Sequence, residues 1–287
     1  MRIAHLSDIH FGTADHDVVE AMVEAVHASK PDVVVASGDF TMAGRRSEFR
    51  DAATLIARLP QPVLATPGNH DLPVYNILER FVRPFARYRR YLAPQTLDRF
   101  RNADVALLTL NSARRWDLSL NWSHGRLSDE QVERADRFFA SAQDVRFRAL
   151  IVHHPFYVPE ELPGFKKIGN AEAMLRVLAA RRVHAVLSGH LHQQSVTSRS
   201  LTVAEDERTV HLLQVASAAS TRRRNQPNAF NVLDIDRDGV WLTEHIGDDD
   251  RFTSMEPRLV IPLQAPTPGQ PGRARERPIE EITGSEL

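Results

Sequence analysis

The sequence predicts a protein of the α/β class, and two patterns support this prediction. In the first two thirds of the chain, short β-branched runs alternate with amphipathic segments, which is typical of strands joined by helical crossovers. After residue 192, short strands follow one another through turns such as Asp238-Gly239, which predicts an antiparallel second layer. A chain of 287 residues can bury about three quarters of its unfolded surface, so we expect a self-sufficient core.

Each element follows from the periodicity of its residues. Runs of β-branched residues that end in turn residues predict strands, and apolar residues at helical spacing predict helices. The strands predicted in the first part are Ile3–Ser7, Asp32–Ser37, Val63–Thr66, Val105–Leu110, Arg148–Val152 and His184–Ser188. The helices predicted between them cover 18–28, 47–59, 128–141 and 171–182. The later strands are predicted at 210–216, 231–235, 240–245 and 259–263.

The sequence predicts one domain over residues 1–263 and a disordered tail over residues 264–287. The tail contains four prolines, three glycines and many charged residues. Such a segment cannot bury enough apolar surface to offset the entropy lost on folding.

Composition excludes several kinds of site and partner. The chain has no cysteine, so any metal must be bound by oxygen and imidazole nitrogen and not by thiolates. No window approaches the roughly 18 uninterrupted apolar residues of a membrane span, and the first residues lack the apolar stretch of a signal peptide. The formal net charge of −1 predicts no general attraction to nucleic acid or to an anionic membrane. We therefore expect a cytoplasmic protein without a membrane partner.

Polar clusters follow five of the predicted strands. They are Asp8-Ile9-His10, Gly38-Asp39, Gly68-Asn69-His70-Asp71, His153-His154-Pro155 and Gly189-His190-Leu191-His192. Because the carboxyl ends of parallel strands lie along one edge of a sheet, these clusters can converge there. Residues i and i+2 that leave a strand tend to point to the same side, so two of the clusters can each offer a pair of ligands. The two carboxylate oxygens of Asp39 can bridge two cations about 3.5–4 Å apart.

The same clusters carry a resemblance to a known family. The motifs DxH, GD, GNHD, HH and GHxH occur in this order, within LSDIHFG, SGDFT, TPGNHD and LSGHLH, and they resemble the calcineurin-like metallophosphoesterases. The resemblance is strong over residues 1–195 and looser as far as residue 247. It is closest to the class III cyclic-nucleotide phosphodiesterases and their relatives that act on glycerophosphodiesters. It implies a four-layer α/β/β/α sandwich of two mixed sheets flanked by helices, with two metals at one sheet edge.

The resemblance also implies which residues bind the two metals. The ligands of one metal would be Asp8, His10, Asp39 and His192. The ligands of the other would be Asp39, Asn69, His153 and His190. Carboxylate and imidazole ligands suit manganese, iron or zinc, as divalent or mixed-valence ions. His153 is favoured over His154 because the family's aligned position is the first of the pair, which leaves His154 as a packing residue or a partner of a ligand.

Two further residues are expected to act in catalysis. His70 would face the substrate phosphate together with Asn69, and it would protonate the departing alkoxide. Asp71 is expected to orient His70 from outside the ligand set.

The function expected from these residues is hydrolysis of a phosphodiester. Metal ligation lowers the pKa of water to about 7, which provides a hydroxide nucleophile at neutral pH. We expect a small soluble substrate such as a cyclic nucleotide or a glycerophosphodiester. The alternatives are a nuclease or a nucleotide pyrophosphohydrolase of the same family, and the near-neutral net charge argues mildly against nucleic acid. A non-catalytic scaffold is disfavoured because all seven ligand positions are present.

Three features leave more than one interpretation open. The segment 78–92 mixes arginines with aromatic residues and predicts either a cap that helps to choose substrates or an amphipathic surface helix broken at Pro84. The run Arg222–Arg224 either contacts a substrate phosphate or lies in a solvated loop. The later hairpins could also supply the edge of a homodimer.

Overall fold

A computed structural model describes residues 1–115, 123–221, 226–248 and 250–263 of the chain. Arg222–Arg224 and the predicted tail at 264–287 lie outside these residues. The strands are, in chain order, β1 (Arg2–Leu6), β2 (Val33–Ala36), β3 (Val63–Ala65), β4 (Arg99–Arg101), β5 (Val105–Thr109), β6 (Phe147–Ile151), β7 (Ala185–Ser188), β8 (Ser195–Val203), β9 (Asp206–Gln214), β10 (Ala229–Ile235), β11 (Gly239–Asp248), β12 (Arg251–Ser254) and β13 (Arg258–Pro262). The α-helices are α1 (His16–Ser29), α2 (Arg46–Arg58), α3 (Ile77–Val82), α4 (Ala86–Tyr91), α5 (Asp129–Ser141) and α6 (Ala171–Ala180).

The first sheet has the strand order β12-β11-β10-β1-β2-β3, with β13 also paired to β11. Strands β1, β2 and β3 are parallel, as the alternation of strands and helices predicts. Strand β10 pairs antiparallel with β1, from Arg2 opposite Asp234 to His5 opposite Asn231. The later strands β10 to β13 therefore complete the first sheet, and the expectation that they form a separate antiparallel layer is wrong. Strands β1 and β10 are far apart in sequence, and nothing in the residues of either strand indicates which strand it pairs with.

The second sheet has the order β4-β5-β6-β7-β9-β8. Strands β5, β6 and β7 are parallel, and β9 continues the parallel run beside β7. Strand β8 pairs antiparallel with β9 and forms one edge of the sheet. Both sheets are therefore mixed, and the four-layer sandwich that the resemblance implies is confirmed.

The four layers follow from the alternation of side chains along the strands. In β1, Ile3 faces the cluster of buried apolar side chains between the two sheets, whereas Ala4 and Leu6 face the cluster under α1 and α2. The second sheet repeats this arrangement, because Leu107 faces the first sheet and Leu108 packs beneath α5 and α6. Successive side chains of a strand point to opposite faces, so each sheet buries apolar residues on both sides.

The segment 78–92 forms two short helices, and the predicted break at Pro84 lies between them. Helix α4 packs on the first-sheet side of the molecule, where Tyr91 stacks on Phe49 of α2 with ring centroids 6.1 Å apart. Tyr88 is buried next to Phe40. The segment is therefore a helical pair fixed to the surface of the domain. In the described part of the chain, no helix combines the length and apolarity needed to cross a bilayer.

Candidate metal centre

The carboxyl ends of β1, β2, β6 and β7 bring six of the seven predicted ligand residues together at one edge of the sandwich, and the seventh, Asn69, follows the neighbouring strand β3. The carboxylates and imidazoles among them form overlapping groups in which ligand atoms lie within 4.8 Å of one another. The seven predicted ligands are at most 9% exposed. Ionisable groups are buried at this density only where they pair with one another or bind a cation.

One cluster contains Asp8, His10 and His192, which follow β1 and β7. The Nε2 atoms of the two imidazoles are 3.1 Å apart. Asp8 Oδ1 lies 3.2 Å from His192 Nε2 and 3.6 Å from His10 Nε2. The other oxygen, Oδ2, accepts a hydrogen bond from the main-chain N–H of His190. Asp8 therefore uses one oxygen to hold the backbone and turns the other toward the two imidazoles.

A second cluster contains His153 and His190, with Nε2 of the first 3.2 Å from Nδ1 of the second. His153 donates from Nδ1 to the carbonyl of Ser37 at 2.8 Å, so its Nε2 points into the cluster. The adjacent His154 also offers a nitrogen to this cluster, while its Nδ1 bonds Ser112 Oγ at 2.8 Å. The His154 ring lies 4.7 Å from that of His190, and the choice of His153 over His154 as the ligand stays a prediction.

Asp39 lies between the two clusters and joins them through a single oxygen. Its Oδ2 is 3.2 Å from His153 Nε2 and 3.7 Å from His10 Nε2. Its Oδ1 accepts a hydrogen bond from the main-chain N–H of His70 at 2.8 Å. The sequence predicts a bridge through two oxygens, whereas in the structure only Oδ2 faces both clusters.

The backbone at these positions is unusual. Five of the predicted ligands have left-handed conformations, with φ between 53° and 75°: Asp8, His10, Asp39, His190 and His192. Such values are uncommon for residues other than glycine, and they cost roughly 1–2 kcal/mol each. The chain therefore turns sharply at each ligand, and these turns aim side chains from different strands at one point.

Two glycines of the motifs allow ligand side chains to approach the backbone. A Cβ on Gly68 would lie 2.1 Å from Asp39 Oδ1, and a Cβ on Gly189 would lie 2.3 Å from Asp8 Oδ2. No side chain fits at either distance. The glycine of GNHD is thus required by the close approach of Asp39, and the glycine of GHxH by Asp8 together with Ser7, whose Oγ would lie 1.9 Å from the added Cβ.

The electrostatics of the clusters depend on burial and on the charge of Asp39. Burial lowers the pKa of His153, but the neighbouring carboxylate of Asp39 outweighs it and raises this pKa to about 9. Burial lowers the pKa of His190 to about 3, and the charge of His153 contributes in the same direction. The negative charge of Asp39 therefore favours a positive charge beside His153 Nε2, 3.2 Å from Asp39 Oδ2.

The donor set fits a pair of metal ions. Asp8 Oδ1 and Asn69 Oδ1 are buried polar atoms without hydrogen-bond partners in the described chain. Ligands about 2.1 Å from one cation lie about 3.0–3.4 Å from one another, which matches most of the distances above. Imidazole nitrogens with carboxylate and amide oxygens are the ligands of zinc, iron or manganese.

The expected catalytic residues lie beside Asp39, but with different partners from those predicted. His70 is partly exposed and donates from Nδ1 to the carbonyl of Met42 at 2.7 Å. Asp71 accepts hydrogen bonds from Gly68 N and from the amide and hydroxyl of Thr41. The expected contact in which Asp71 orients the imidazole is therefore replaced by one to Met42. Burial, together with the charge of Asp39, raises the pKa of Asp71 to about 7.

Several residues that hold the site were not predicted from the sequence. The carbonyl groups of Ser37 and Met42 fix the rings of His153 and His70, respectively. Ser217 donates from Oγ to the carbonyl of Asp8 at 2.6 Å and so ties the loop before β10 to the site. Main-chain acceptors leave no trace in the residue type, so Ser37 and Met42 could not be predicted as partners of the two rings.

Comparison with known proteins agrees with this geometry. The sequence profile of the calcineurin-like phosphoesterases matches residues 1–194. A glycerophosphodiester phosphodiesterase of Enterobacter lignolyticus is 29% identical over 238 residues, which cover 74% of this chain and 78% of that protein. A 3',5'-cyclic adenosine monophosphate phosphodiesterase of Escherichia coli is 26% identical over 209 residues, covering 68% of this chain and 70% of that protein.

A dimetal phosphatase from Danio rerio has a similar structure, with a TM-score of 0.58. The alignment covers 88% of this chain and 98% of that one, and the sequences are 15% identical, so this likeness concerns the fold. The profile match covers more than half of the chain and includes all five motifs. The chain belongs to the calcineurin-like phosphoesterase family and is a metal-dependent hydrolase of phosphoric esters.

Proposed function

We propose that the enzyme hydrolyses a phosphodiester at a dinuclear metal centre. The observation that carries the proposal is the position of Asp39 Oδ2 between the two clusters. This atom lies 3.2 Å from His153 Nε2 in one cluster and 3.7 Å from His10 Nε2 in the other. A single carboxylate oxygen in this position suits a ligand shared by two cations. The proposed ligands are Asp8, His10, Asp39 and His192 for one ion, and Asp39, Asn69, His153 and His190 for the other.

The proposed substrate is a small diester, either a cyclic nucleotide or a glycerophosphodiester. The names of the two relatives support this class, since one acts on glycerophosphodiesters and the other on 3',5'-cyclic adenosine monophosphate. The ligands are buried, whereas His70 is partly exposed, so the substrate would enter past His70. Manganese, iron and zinc all suit the donor set.

When bound, the two cations would supply a nucleophile from water at neutral pH and offset charge on the phosphoryl oxygens. The chain's own contribution is to hold His70 beside them. Its Nδ1–H is committed to the carbonyl of Met42, so any proton for the leaving alkoxide comes from Nε2. This requires the ring to carry both protons at that step. Asn69 and His70 are adjacent, and together they would contact the phosphate.

The test is hydrolysis of bis(p-nitrophenyl) phosphate by chelator-stripped protein before and after manganese is added. We expect turnover only with the metal, and loss of that turnover in Asn69→Ala. Bound metal and circular dichroism, measured on the same samples, separate loss of a ligand from loss of the fold. Absence of turnover with manganese, iron and zinc, despite two bound ions, would contradict the proposal. Active enzyme would then be assayed against cyclic nucleotides and glycerophosphodiesters.

Salt dependence tests the nuclease alternative. A protein that neutralises several phosphates of a nucleic acid loses affinity steeply as salt rises. Turnover of a small diester should change little between low and physiological salt. Cleavage of single-stranded DNA that exceeds diester turnover and falls steeply with salt would favour a nuclease.

A further inference from the structure

The segment that follows the GNHD motif exposes an unusual number of large apolar side chains. Tyr75, Ile77, Leu78 and Val82 are 73%, 59%, 75% and 65% exposed, and Phe81 is 41% exposed. All five lie within eight residues, at the start of α3 and along it. A helix that is part of a folded domain normally buries its apolar residues, so a concentration of this kind marks an interaction surface.

Arginines surround these side chains. Residues 74–92 contain five arginines and one glutamate, for a formal charge of +4, whereas the whole chain carries −1. The glutamate, Glu79, is largely buried in an ion pair with Arg87. Arg80 is buried, so the exposed charges nearby include those of Arg83 and Arg90 in this segment and of Arg46 at the start of α2, all cationic. The overall net charge conceals this local excess.

Apolar and cationic side chains meet in one hollow between α3, α4 and the start of α2. The hollow has a volume of about 550 Å³ and is lined by Leu78, Val82, Arg46, Arg83 and Arg90, among others. Alkyl groups and guanidinium groups on one wall suit a ligand that is both hydrophobic and anionic. Phospholipids with a net negative charge have this chemistry.

We propose that α3 and α4 form a docking surface for an anionic lipid membrane, with Ile77, Leu78, Phe81 and Val82 inserted among the acyl chains. The arginines at the border of this surface lie at the level of the phosphates. The contact is peripheral, since no described helix crosses a bilayer. It revises the expectation of no membrane partner, which rested on the net charge of the whole chain.

Other occupants fit the surface less well. A second copy of the same surface would bring the arginines of two chains together, which is unfavourable. Single-stranded nucleic acid binds by stacking bases on aromatic rings, whereas the most exposed helical side chains here, Leu78 and Val82, are aliphatic. One face of the Tyr75 ring is already occupied by the guanidinium of Arg45, 4.8 Å from the ring centroid.

The surface is joined to the loop that holds His70. Val74 N donates to the carbonyl of Ala43, and Arg87 donates to the carbonyl of Gly44 at 2.6 Å. The neighbouring Met42 carbonyl accepts the His70 ring hydrogen bond. Docking through α3 and α4 would therefore place the entrance to the catalytic centre close to the membrane surface. The docking itself does not depend on hydrolysis.

The test is flotation of the purified full-length protein with vesicles of phosphatidylcholine alone or with 30 mol% phosphatidylglycerol added. We expect binding to the anionic vesicles only, and a decrease with added salt. Leu78→Ser/Val82→Ser and Arg83→Glu/Arg90→Glu should each lower the bound fraction by about tenfold or more. Met255→Ser and Arg146→Glu alter an exposed apolar residue and an exposed arginine elsewhere, and they should bind as the wild type does.

Hydrolysis of bis(p-nitrophenyl) phosphate is measured on every variant and should be unchanged, which separates docking from catalysis. A wild-type protein that does not float with anionic vesicles would overturn the proposal. Binding that survives both double substitutions would also overturn it. Tighter binding to a single-stranded oligonucleotide, lost in Arg83→Glu/Arg90→Glu but kept in Leu78→Ser/Val82→Ser, would identify a nucleic-acid site instead.

Discussion

The main-chain N–H of His70 donates a hydrogen bond to Asp39 Oδ1 over 2.8 Å. This contact fixes the rotation of the carboxylate, so that Oδ2 alone faces the imidazoles of His10 and His153. The GNHD motif therefore does more than supply the proposed amide ligand and a histidine. Its backbone orients the oxygen that we propose to be shared between two cations.

The orientation of Asp39 makes Asp39→Asn a sharp test of the shared ligand. Asparagine can still accept from His70 N–H through its oxygen, so its NH₂ group would replace Oδ2 between the two imidazoles. An amide nitrogen has no lone pair to offer a metal. Loss of a residue that hydrogen-bonds a metal ligand typically lowers metal affinity by roughly 10–100-fold. We expect a larger decrease in Asp39→Asn, because the ligand atom itself is lost.

Metal content by mass spectrometry after dialysis measures the effect of Asp39→Asn. Asp51→Asn, which changes an exposed carboxylate on α2, should bind metal as the wild type does. Two tightly bound ions per chain in Asp39→Asn would show that Oδ2 is not a ligand.

Removal of the His70 ring should slow turnover without removing the metals. General acid catalysis contributes typically 10²–10⁴-fold, so kcat of His70→Ala should fall within that range while bound metal stays at the wild-type level. His16→Ala is the matched control, since that ring is 86% exposed on α1. Full activity of His70→Ala would exclude the residue from the chemistry.

Adding a methyl group at the two close-approach glycines should damage the site. Gly68→Ala and Gly189→Ala would each push a ligand carboxylate away, and overpacking of this kind costs about 1–3 kcal/mol. We expect lower unfolding free energy in urea and weaker metal binding in both variants. Gly164→Ala is the control, because a Cβ there meets no atom within 4 Å. Its stability should stay within about 0.5 kcal/mol of the wild type.

His184 lies just before β7, at the opposite end of that strand from His190, and its burial predicts how stability depends on pH. Burial, assisted by the charge of Arg148, lowers the pKa of His184 from 6.5 to about 3. Between these values the unfolded chain binds a proton that the folded chain does not, so stability decreases as the pH falls through this range. A single group of this kind changes the unfolding free energy by up to about 1.4 kcal/mol per pH unit.

The variant His184→Asn isolates this contribution. Its amide oxygen can accept the hydrogen bond that Arg148 N donates to His184 Nδ1, and it does not titrate. Urea unfolding of chelator-treated protein at pH 6.5 and pH 4.5 should show a smaller decrease for the variant than for the wild type. Equal decreases in the two proteins would contradict the assignment.

Much of the fold could be predicted because its local signals are strong. The helices and the parallel strands follow from periodicity, and the glycines and polar residues at the strand ends mark the edge where the ligands meet. The pairing of β10 with β1 could not be predicted, since it joins Arg2 to Asp234 across almost the whole described chain. The exposure of Leu78 could not be predicted either, because an apolar residue at helical spacing normally packs against the core.

The side chains of Asp8 and His10 converge, as predicted, but the structure shows a different cause for this convergence. Asp8 and His10 were expected to point to the same side because they are two residues apart along a strand. Strand β1 ends at Leu6, however, and both ligands lie beyond it in left-handed turns. Their convergence comes from the turns. Residue types that tolerate this conformation, such as aspartate, are compatible with it but do not predict it.

At the five proposed ligands with left-handed backbone conformations, the geometry that suits metal binding lowers the stability of the fold. Each of these residues would relax if the sheets released it, so the energy that keeps the site assembled comes from the cores on both sides of the two sheets. A short peptide that carried the DIH or GHLH sequence would therefore lose the arrangement together with the scaffold. Selection for higher stability alone would favour glycine at these positions, and only the need for side-chain ligands opposes it.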